Sequence, residues 1–286
     1  MRRTQFDTLS EFVDHVKALP WRDNGHWAAR SSFAGGSLDD AIRLATFGWP
    51  EGTERAVRKA TAITDRVIAS TAEGSAPCID YDVTGAAFDA GAVALGIPEA
   101  WARPGVEPSR HAIRMVLNCG TSAGVSNEVI EQRGIAVVAL ALTFIARGYP
   151  VTIDVQISNV IQYSKDVTIR VADAASGAPL DIDRVTYALA HPTMLRQLQR
   201  ANYNGCRNGS PDDGRNEWGS DSPASDTRPS GHIDLFMGGA HLSQTERWRD
   251  GGESWILAEY LRQTTDTQTQ MESKPWQTGP HLRAHP

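Results

Sequence analysis

The residues best suited to chemistry lie in one turn, Asn118-Cys119-Gly120-Thr121-Ser122-Ala123-Gly124, between a predicted strand and a predicted helix. Ligands of doubly wound α/β folds bind at such turns, where backbone N–H groups point outward from the helix N-terminus. Cys119 is the nucleophilic side chain of this turn, and a nearby helix N-terminus lowers the pKa of a thiol. A cysteine nucleophile needs a base, for which His191 and His241 are available. Cys119, His191 and His241 therefore form a candidate site for a hydrolase or transferase.

The same turn lacks the pattern of a nucleotide-binding loop. Gly120 and Gly124 do not have the Gly-x-Gly-x-x-Gly spacing, and no Lys-Ser or Lys-Thr follows them. The three cysteines, Cys78, Cys119 and Cys206, are far apart in the sequence and form no Cys-x-x-Cys pair. This pattern excludes a disulfide scaffold and is typical of a reducing cytoplasm.

The elements around the turn alternate between strands and helices. Residues 113–117 form a short apolar strand, Ser126 caps a long helix over 127–147, and residues 151–157 alternate as a strand. A strand, a helix and a strand in this order predict a parallel pair with a right-handed crossover. The next strand, 167–171, follows after only a short loop, which favours an antiparallel neighbour.

The remaining elements divide the chain into regions. The first 75 residues are predicted to be helical, with Ser37 as the N-cap and Gly48 as the C-cap of one helix. Later elements are a strand at 79–83, helices over 87–95, 182–189 and 193–200, a strand at 232–237 and a helix over 253–262.

One stretch cannot form a core of its own. Residues 201–231 contain no Val, Ile, Leu, Met or Phe, so they bury too little apolar surface to order themselves. The predicted organisation is an N-terminal helical region (1–75), an α/β core (76–263) with a disordered insertion (201–231), and a flexible C-terminal tail (264–286).

The order of elements from residue 113 onward resembles the von Willebrand factor type A (vWA) family. That family's first strand ends in an Asp-x-Ser-x-Ser metal motif, which here reads Asn118-Cys119-Gly120-Thr121-Ser122. Thr193 matches the threonine of its second metal loop, and Gly238 stands near the position of its third-loop aspartate. The resemblance implies a Rossmann-like three-layer α/β sandwich with a mostly parallel central sheet.

The resemblance also implies a magnesium site, but both carboxylate positions are lost. Mg²⁺ prefers anionic oxygen ligands, whereas Asn118, Ser122 and Thr193 offer only neutral ones, and Gly120 and Gly238 offer no side-chain oxygen. We therefore expect a degenerate metal loop that holds no metal and no other cofactor. Any ligand of this loop should be neutral or anionic.

The chain is also similar to a group of uncharacterised proteins encoded by phages and prophages. The stretches that carry this similarity are 37–41, 48–52, 81–85, 96–99, 126–134, 189–192 and 240–243. The similarity implies a viral origin, a location in the cytoplasm of a host bacterial cell, and no established activity.

Composition limits the class of partner. The net charge of −6 argues against broad binding to nucleic acid, which needs a basic surface. One predicted helix, 53–69, nevertheless carries a basic face, formed by Arg55, Arg58, Lys59 and Arg66. No apolar run reaches the length of about 18 residues that a membrane span needs, and the N-terminus does not read as a signal peptide.

These observations favour a non-enzymatic protein-interaction module that binds a host or viral protein. The missing carboxylates and the absence of a catalytic motif support this interpretation. The alternatives are an enzyme that uses Cys119, His191 or His241, and a nucleic-acid-associated protein that uses the basic helix face. The sequence leaves the oligomeric state open.

Overall fold

The structure is a computed structural model of the chain. It describes residues 5–19, 31–70, 79–82, 87–88, 101–104, 111–120, 125–157, 167–176, 179–202, 232–237 and 252–272. The description below concerns these residues.

Four helices form most of the N-terminal region: α1 (Leu9–Ala18), α2 (Ser31–Ala34), α3 (Leu38–Phe47) and α4 (Pro50–Ser70). Ser37 caps α3 in a capping box with Asp40, as the sequence predicts. Gly48 ends α3 with a φ of +84°, a conformation that favours glycine. Helix α4 begins three residues earlier than predicted, because Pro50 supplies the fixed φ that suits the first turn of a helix.

The N-terminal region is not separate from the core. A two-residue strand, β1 (Gln5–Phe6), precedes α1 and pairs in parallel with β7 (Val167–Ala172). Phe6, Phe12 and Val16 are buried in the same hydrophobic core as the sheet. The N-terminal helix α1 therefore packs onto the same core as the sheet.

The main sheet has five strands in the order β1-β7-β6-β5-β8. The other members are β5 (Ile113–Asn118), β6 (Val151–Ile157) and β8 (Leu235–Met237). Strand β5 is parallel to both β6 and β8, whereas β7 is antiparallel to β6. Both the parallel crossover and the antiparallel neighbour are as predicted.

Helix α5 (Asn127–Ala146) connects β5 to β6 and lies inside the core. Its residues from Arg133 to Ala141 are all buried, and it contacts α4, α6 (Ile182–Ala190) and α7 (Glu253–Glu272). A Cβ atom added at Gly134 would lie 2.2 Å from the Ala190 Cα, so α5 and α6 can pack this closely only with glycine there. By length and composition alone α5 could also cross a membrane, but two thirds of its most apolar window (67%) is buried inside the fold.

One face of the main sheet packs against the helices, and the opposite face carries a cluster of ion pairs. Odd-numbered positions of β5 and β6, such as Met115, Leu117 and Ile153, join the helices in the hydrophobic core. The opposite face carries Asp154, which is 1% exposed and bonded to Arg114 of β5 and Arg170 of β7. This ion-pair cluster links the three neighbouring strands.

A second, antiparallel sheet has the order β2-β4-β3, with β2 at Ile79–Asp82, β3 at Ala87–Phe88 and β4 at Trp101–Pro104. The predicted strand at 79–83 is thus confirmed in its first four residues. The prediction of a helix from residue 87 is wrong at Ala87–Phe88, because pairing with β4 outweighs local helix propensity. Residues 89–95 lie outside the described residues.

The helix predicted over 193–200 is present, and within it Met194–Gln199 form a π-helix, a wide turn that is rare in proteins. Ala201 and Asn202, at the start of the predicted insertion, are buried at the end of this helix, and residues 203–231 lie outside the described part of the chain. Helix α7 continues to Glu272, beyond the predicted start of a tail at 264.

The predicted fold class is confirmed. The chain forms an α/β sandwich around a mixed, mostly parallel five-stranded sheet, with helices in its N-terminal region.

Candidate functional site

Three predicted site residues, Asn118, Cys119 and Gly120, are buried where β5 ends. The Asn118 side-chain oxygen accepts a hydrogen bond from the Gly120 backbone N–H (2.8 Å), which closes a tight turn. The Cys119 N–H donates to the carbonyl of Gln156 at the end of β6 (2.8 Å). These hydrogen bonds hold the strand end in place, and the polar atoms that form them are engaged within the fold.

The Cys119 thiol is not placed as a nucleophile. Its sulfur lies 4.0 Å from the Ala188 carbonyl oxygen of α6, to which it donates a long hydrogen bond. Burial raises the pKa of this thiol to about 11, with an opposing effect from the Arg133 guanidinium. The thiol is therefore protonated at neutral pH, and a protonated thiol is a poor nucleophile.

The proposed base, His191, caps the end of α6 and is engaged with Thr193. The Thr193 backbone N–H donates to His191 Nδ1 (3.3 Å), and the Thr193 hydroxyl oxygen lies 2.9 Å from the same nitrogen. The Thr193 hydroxyl also donates to the hydroxyl of Tyr187 (3.3 Å), and both side chains are fully buried. Because Nδ1 accepts, this network places the ring proton on Nε2.

The ring of His191 packs against two aromatic side chains. It lies edge-on to Trp49 (4.8 Å between centroids) and stacks on Tyr187 (5.7 Å). Burial lowers the pKa of His191 to about 4; the carboxylate of Asp40 opposes this shift and Arg43 adds to it. His191 is therefore neutral at neutral pH and holds the junction between α6 and the π-helix.

Arg133, on the second turn of α5, reaches the same strand end. Its Nη1 donates to the Asn118 carbonyl oxygen (3.2 Å), and the side chain is only 1% exposed. Its Nε makes no hydrogen bond within the described part of the chain. Burial lowers the pKa of Arg133 to about 10, so the guanidinium remains charged at neutral pH.

A second buried arginine, Arg196 of the π-helix, holds the start of α5. It donates to the carbonyls of Phe33 and Val125 and to the side-chain oxygen of Asn127, and its guanidinium lies 4.0 Å from the centre of the Phe33 ring. These contacts explain how the wide π-helical turn is stabilised. Because its donors are used in these contacts, Arg196 has a structural role.

The residues of the strand end do not fit a divalent cation. The Asn118 side-chain oxygen bonds to Gly120, the Thr193 hydroxyl bonds within the His191 network, and the buried charge is the positive one of Arg133. No group of three or more His, Cys, Asp or Glu side chains that could hold a metal occurs among the described residues. A guanidinium at this position would repel a second cation.

Residues 1–222 match the family model described as a domain of unknown function, DUF7192. The chain belongs to the DUF7192 family. No curated protein matches the chain, and no solved structure does. The matched part of the DUF7192 protein contains β5, α5, α6 and the π-helix, and therefore Asn118, Arg133 and Thr193.

The sequence of the DUF7192 protein predicts a site at this strand end but does not predict the Arg133 guanidinium beside it. Asn118, Cys119 and Gly120 lie together there, whereas Ser122, Gly238 and His241 lie outside the described residues. The overlooked signal was the position of Arg133 on the buried stripe of α5, at helical spacing from Ile130, Val137 and Leu140.

Proposed function

We propose that the DUF7192 protein is a non-enzymatic protein-interaction module with a vWA-like core. It binds its partner at the carboxyl end of β5 without a metal. The observation that carries this proposal is the buried guanidinium of Arg133, which bonds to Asn118 at the position where the resemblance implies a metal loop. A positive charge there favours an acidic or neutral ligand over a cation.

The enzymatic alternative is less well supported. Its nucleophile, Cys119, is a buried thiol with a raised pKa. Of its two candidate bases, His191 is bonded to Thr193 and packs against two aromatic rings, and His241 lies outside the described residues. A general base must be within hydrogen-bond reach of the proton that it removes. The contacts of Cys119 and His191 lead to Ala188 and Thr193 instead.

The nucleic-acid alternative is weakened by pairing on the basic face of α4. Arg55 forms an ion pair with Glu131 (3.0 Å), and Arg66 forms one with Glu253 (3.2 Å). These acidic partners remove two of the charges that phosphate binding would use. The net charge of −6 points the same way.

The proposal includes the biological setting that the sequence suggests. The similarity to phage and prophage proteins supports a phage-type protein that acts in the cytoplasm of a host bacterial cell. Its partner is then a host or viral protein. The scattered cysteines are in keeping with a reducing compartment.

Calorimetric titration with magnesium and manganese tests whether the protein binds a divalent metal ion. We expect no heat of binding from the wild-type protein, because the Arg133 guanidinium opposes a dication and the Asn118 side-chain oxygen is already bonded to the Gly120 N–H. The double variant Asn118→Asp, Gly120→Ser restores two of the motif's oxygen ligands and should gain weak manganese binding if the core is vWA-like.

A charge-matched control is Gln132→Glu, which adds one negative charge to α5 at a side chain that is bonded to Glu128. This variant should show no heat of binding. Saturable magnesium or manganese binding by the wild-type protein would contradict the proposal.

A further inference from the structure

The guanidinium of Arg133 is bonded through one nitrogen, Nη1, while its buried Nε makes no hydrogen bond within the described residues. Its Nη1 donates to the Asn118 carbonyl oxygen (3.2 Å), and the side chain is 1% exposed. In a planar guanidinium the Nε–H and one Nη2–H point in the same direction, and this pair matches the two oxygens of a carboxylate.

The positive charge of Arg133 also lacks an acidic partner among the described ion pairs. Glu131, two residues earlier on α5, is paired with Arg55 (3.0 Å), and Glu128 accepts from Gln132 (3.3 Å). The thiol of Cys119, the other ionisable group beside Arg133, is protonated. A buried charge without a counter-ion is costly, so an anion that reaches Arg133 gains more there than at the surface.

We propose that the Nε–Nη2 edge of Arg133 binds one carboxylate at the carboxyl end of β5. This inference rests on the proposed function and names the chemistry by which the module recognises its partner. A single unpaired cation matches the single charge of a carboxylate. The second buried arginine, Arg196, is engaged with Phe33, Val125 and Asn127 and adds no further donor. The carboxylate belongs either to an acidic side chain of a partner protein or to a small free acid.

Nuclear magnetic resonance of the full-length protein with ¹⁵N-labelled arginine tests the inference directly. The Nε–H signal of Arg133 is assigned by its loss in Arg133→Gln. Titration with acetate, and separately with a capped tripeptide that contains one aspartate, should shift this signal downfield in a saturable manner. The Nε–H signal of Arg55, which is half-exposed and already paired with Glu131, is the internal control and should not saturate.

The two probes distinguish the possible sources of the carboxylate. A shift with both probes identifies an acidic side chain as the ligand, and a shift with acetate alone identifies a small acid. Calorimetry should show binding at least about tenfold weaker in Arg133→Gln, which loses a charge-assisted contact. An unmoved Arg133 signal at saturating probe, read on the wild-type protein, overturns the inference; if Arg133→Gln does not fold, triple-resonance experiments on the wild-type protein assign the signal instead. The proposed function fails separately, by metal binding in the calorimetric test.

Discussion

Replacing Asp154 with asparagine should lower the free energy of unfolding by about 3 kcal/mol, because it removes the charge that two arginines share. One carboxylate oxygen accepts from Nε and Nη2 of Arg114 (3.0 and 2.7 Å), and the other accepts from Nε of Arg170 (3.0 Å). Asparagine keeps the shape but turns an N–H₂ group toward one guanidinium. Burial of Asp154 keeps water from replacing the lost bonds.

The matched control is Asp173→Asn. Asp173 also pairs with Arg170, at 3.6 Å, but both side chains are about one third exposed, and the amide can still accept the turn bond from the Ala175 N–H. This control should cost less than about 1 kcal/mol. Urea unfolding at neutral pH measures both variants, and equal losses would show that the buried position of Asp154 gives it no special role.

The second large effect concerns pH. His191 has a pKa of about 4 in the folded protein against 6.5 for an ordinary histidine, because burial disfavours the charged ring. Between these values the unfolded chain binds a proton that the folded chain excludes, so stability falls as pH is lowered from 6.5 to 4. The full loss from this group is about 3 kcal/mol. Above pH 6.5 His191 contributes no pH dependence.

The variant His191→Asn isolates this effect. Asparagine can still accept the Thr193 N–H bond but does not titrate, so the variant should lose some packing at every pH and lack the additional decline below pH 6.5. Urea unfolding at a series of pH values gives the difference between the two proteins. A constant difference from pH 6.5 to pH 4 would show that His191 is not held neutral by burial.

Much of the fold could be predicted because its strongest elements carry local signals. Alternation marks β6, a serine cap and a long apolar run mark α5, and the short link to β7 fixes an antiparallel neighbour. These signals arise within each element, where periodicity reflects which side chains are buried. The parallel pairing of β5 with β6 followed from the helix between them.

The missed elements depend on distant pairing. Strand β1 has only two residues, too few to show alternation, and exists because it pairs with β7 more than 150 residues later in the chain. Strand β3 is held by β4, and the π-helix is held by the contacts of Arg196 with α2 and the start of α5. The partners of β1 and of the π-helix lie far outside any local window of sequence.

The candidate site was predicted by position but not by charge. The turn after β5 was identified from its residue types, and Asn118 and Gly120 do form a tight turn there. Burial decides which of the two ionisable side chains at this strand end carries a charge at neutral pH, the Cys119 thiol or the Arg133 guanidinium. Burial protonates Cys119 and leaves Arg133 charged, and it follows from how α5 and α6 pack together. The close packing of these two helices is visible only in the three-dimensional structure.

The central claim, metal-independent recognition of a protein at the Arg133 end of β5, is tested most directly by quantitative affinity capture. Immobilised wild-type, Arg133→Gln and Arg55→Gln proteins, each shown to be folded by circular dichroism, are exposed to a lysate of the source cells with and without EDTA. We predict one partner that the wild-type and Arg55→Gln proteins retain in EDTA and that Arg133→Gln does not retain. A partner that EDTA releases, or that Arg133→Gln retains as well as the wild type does, would contradict the account.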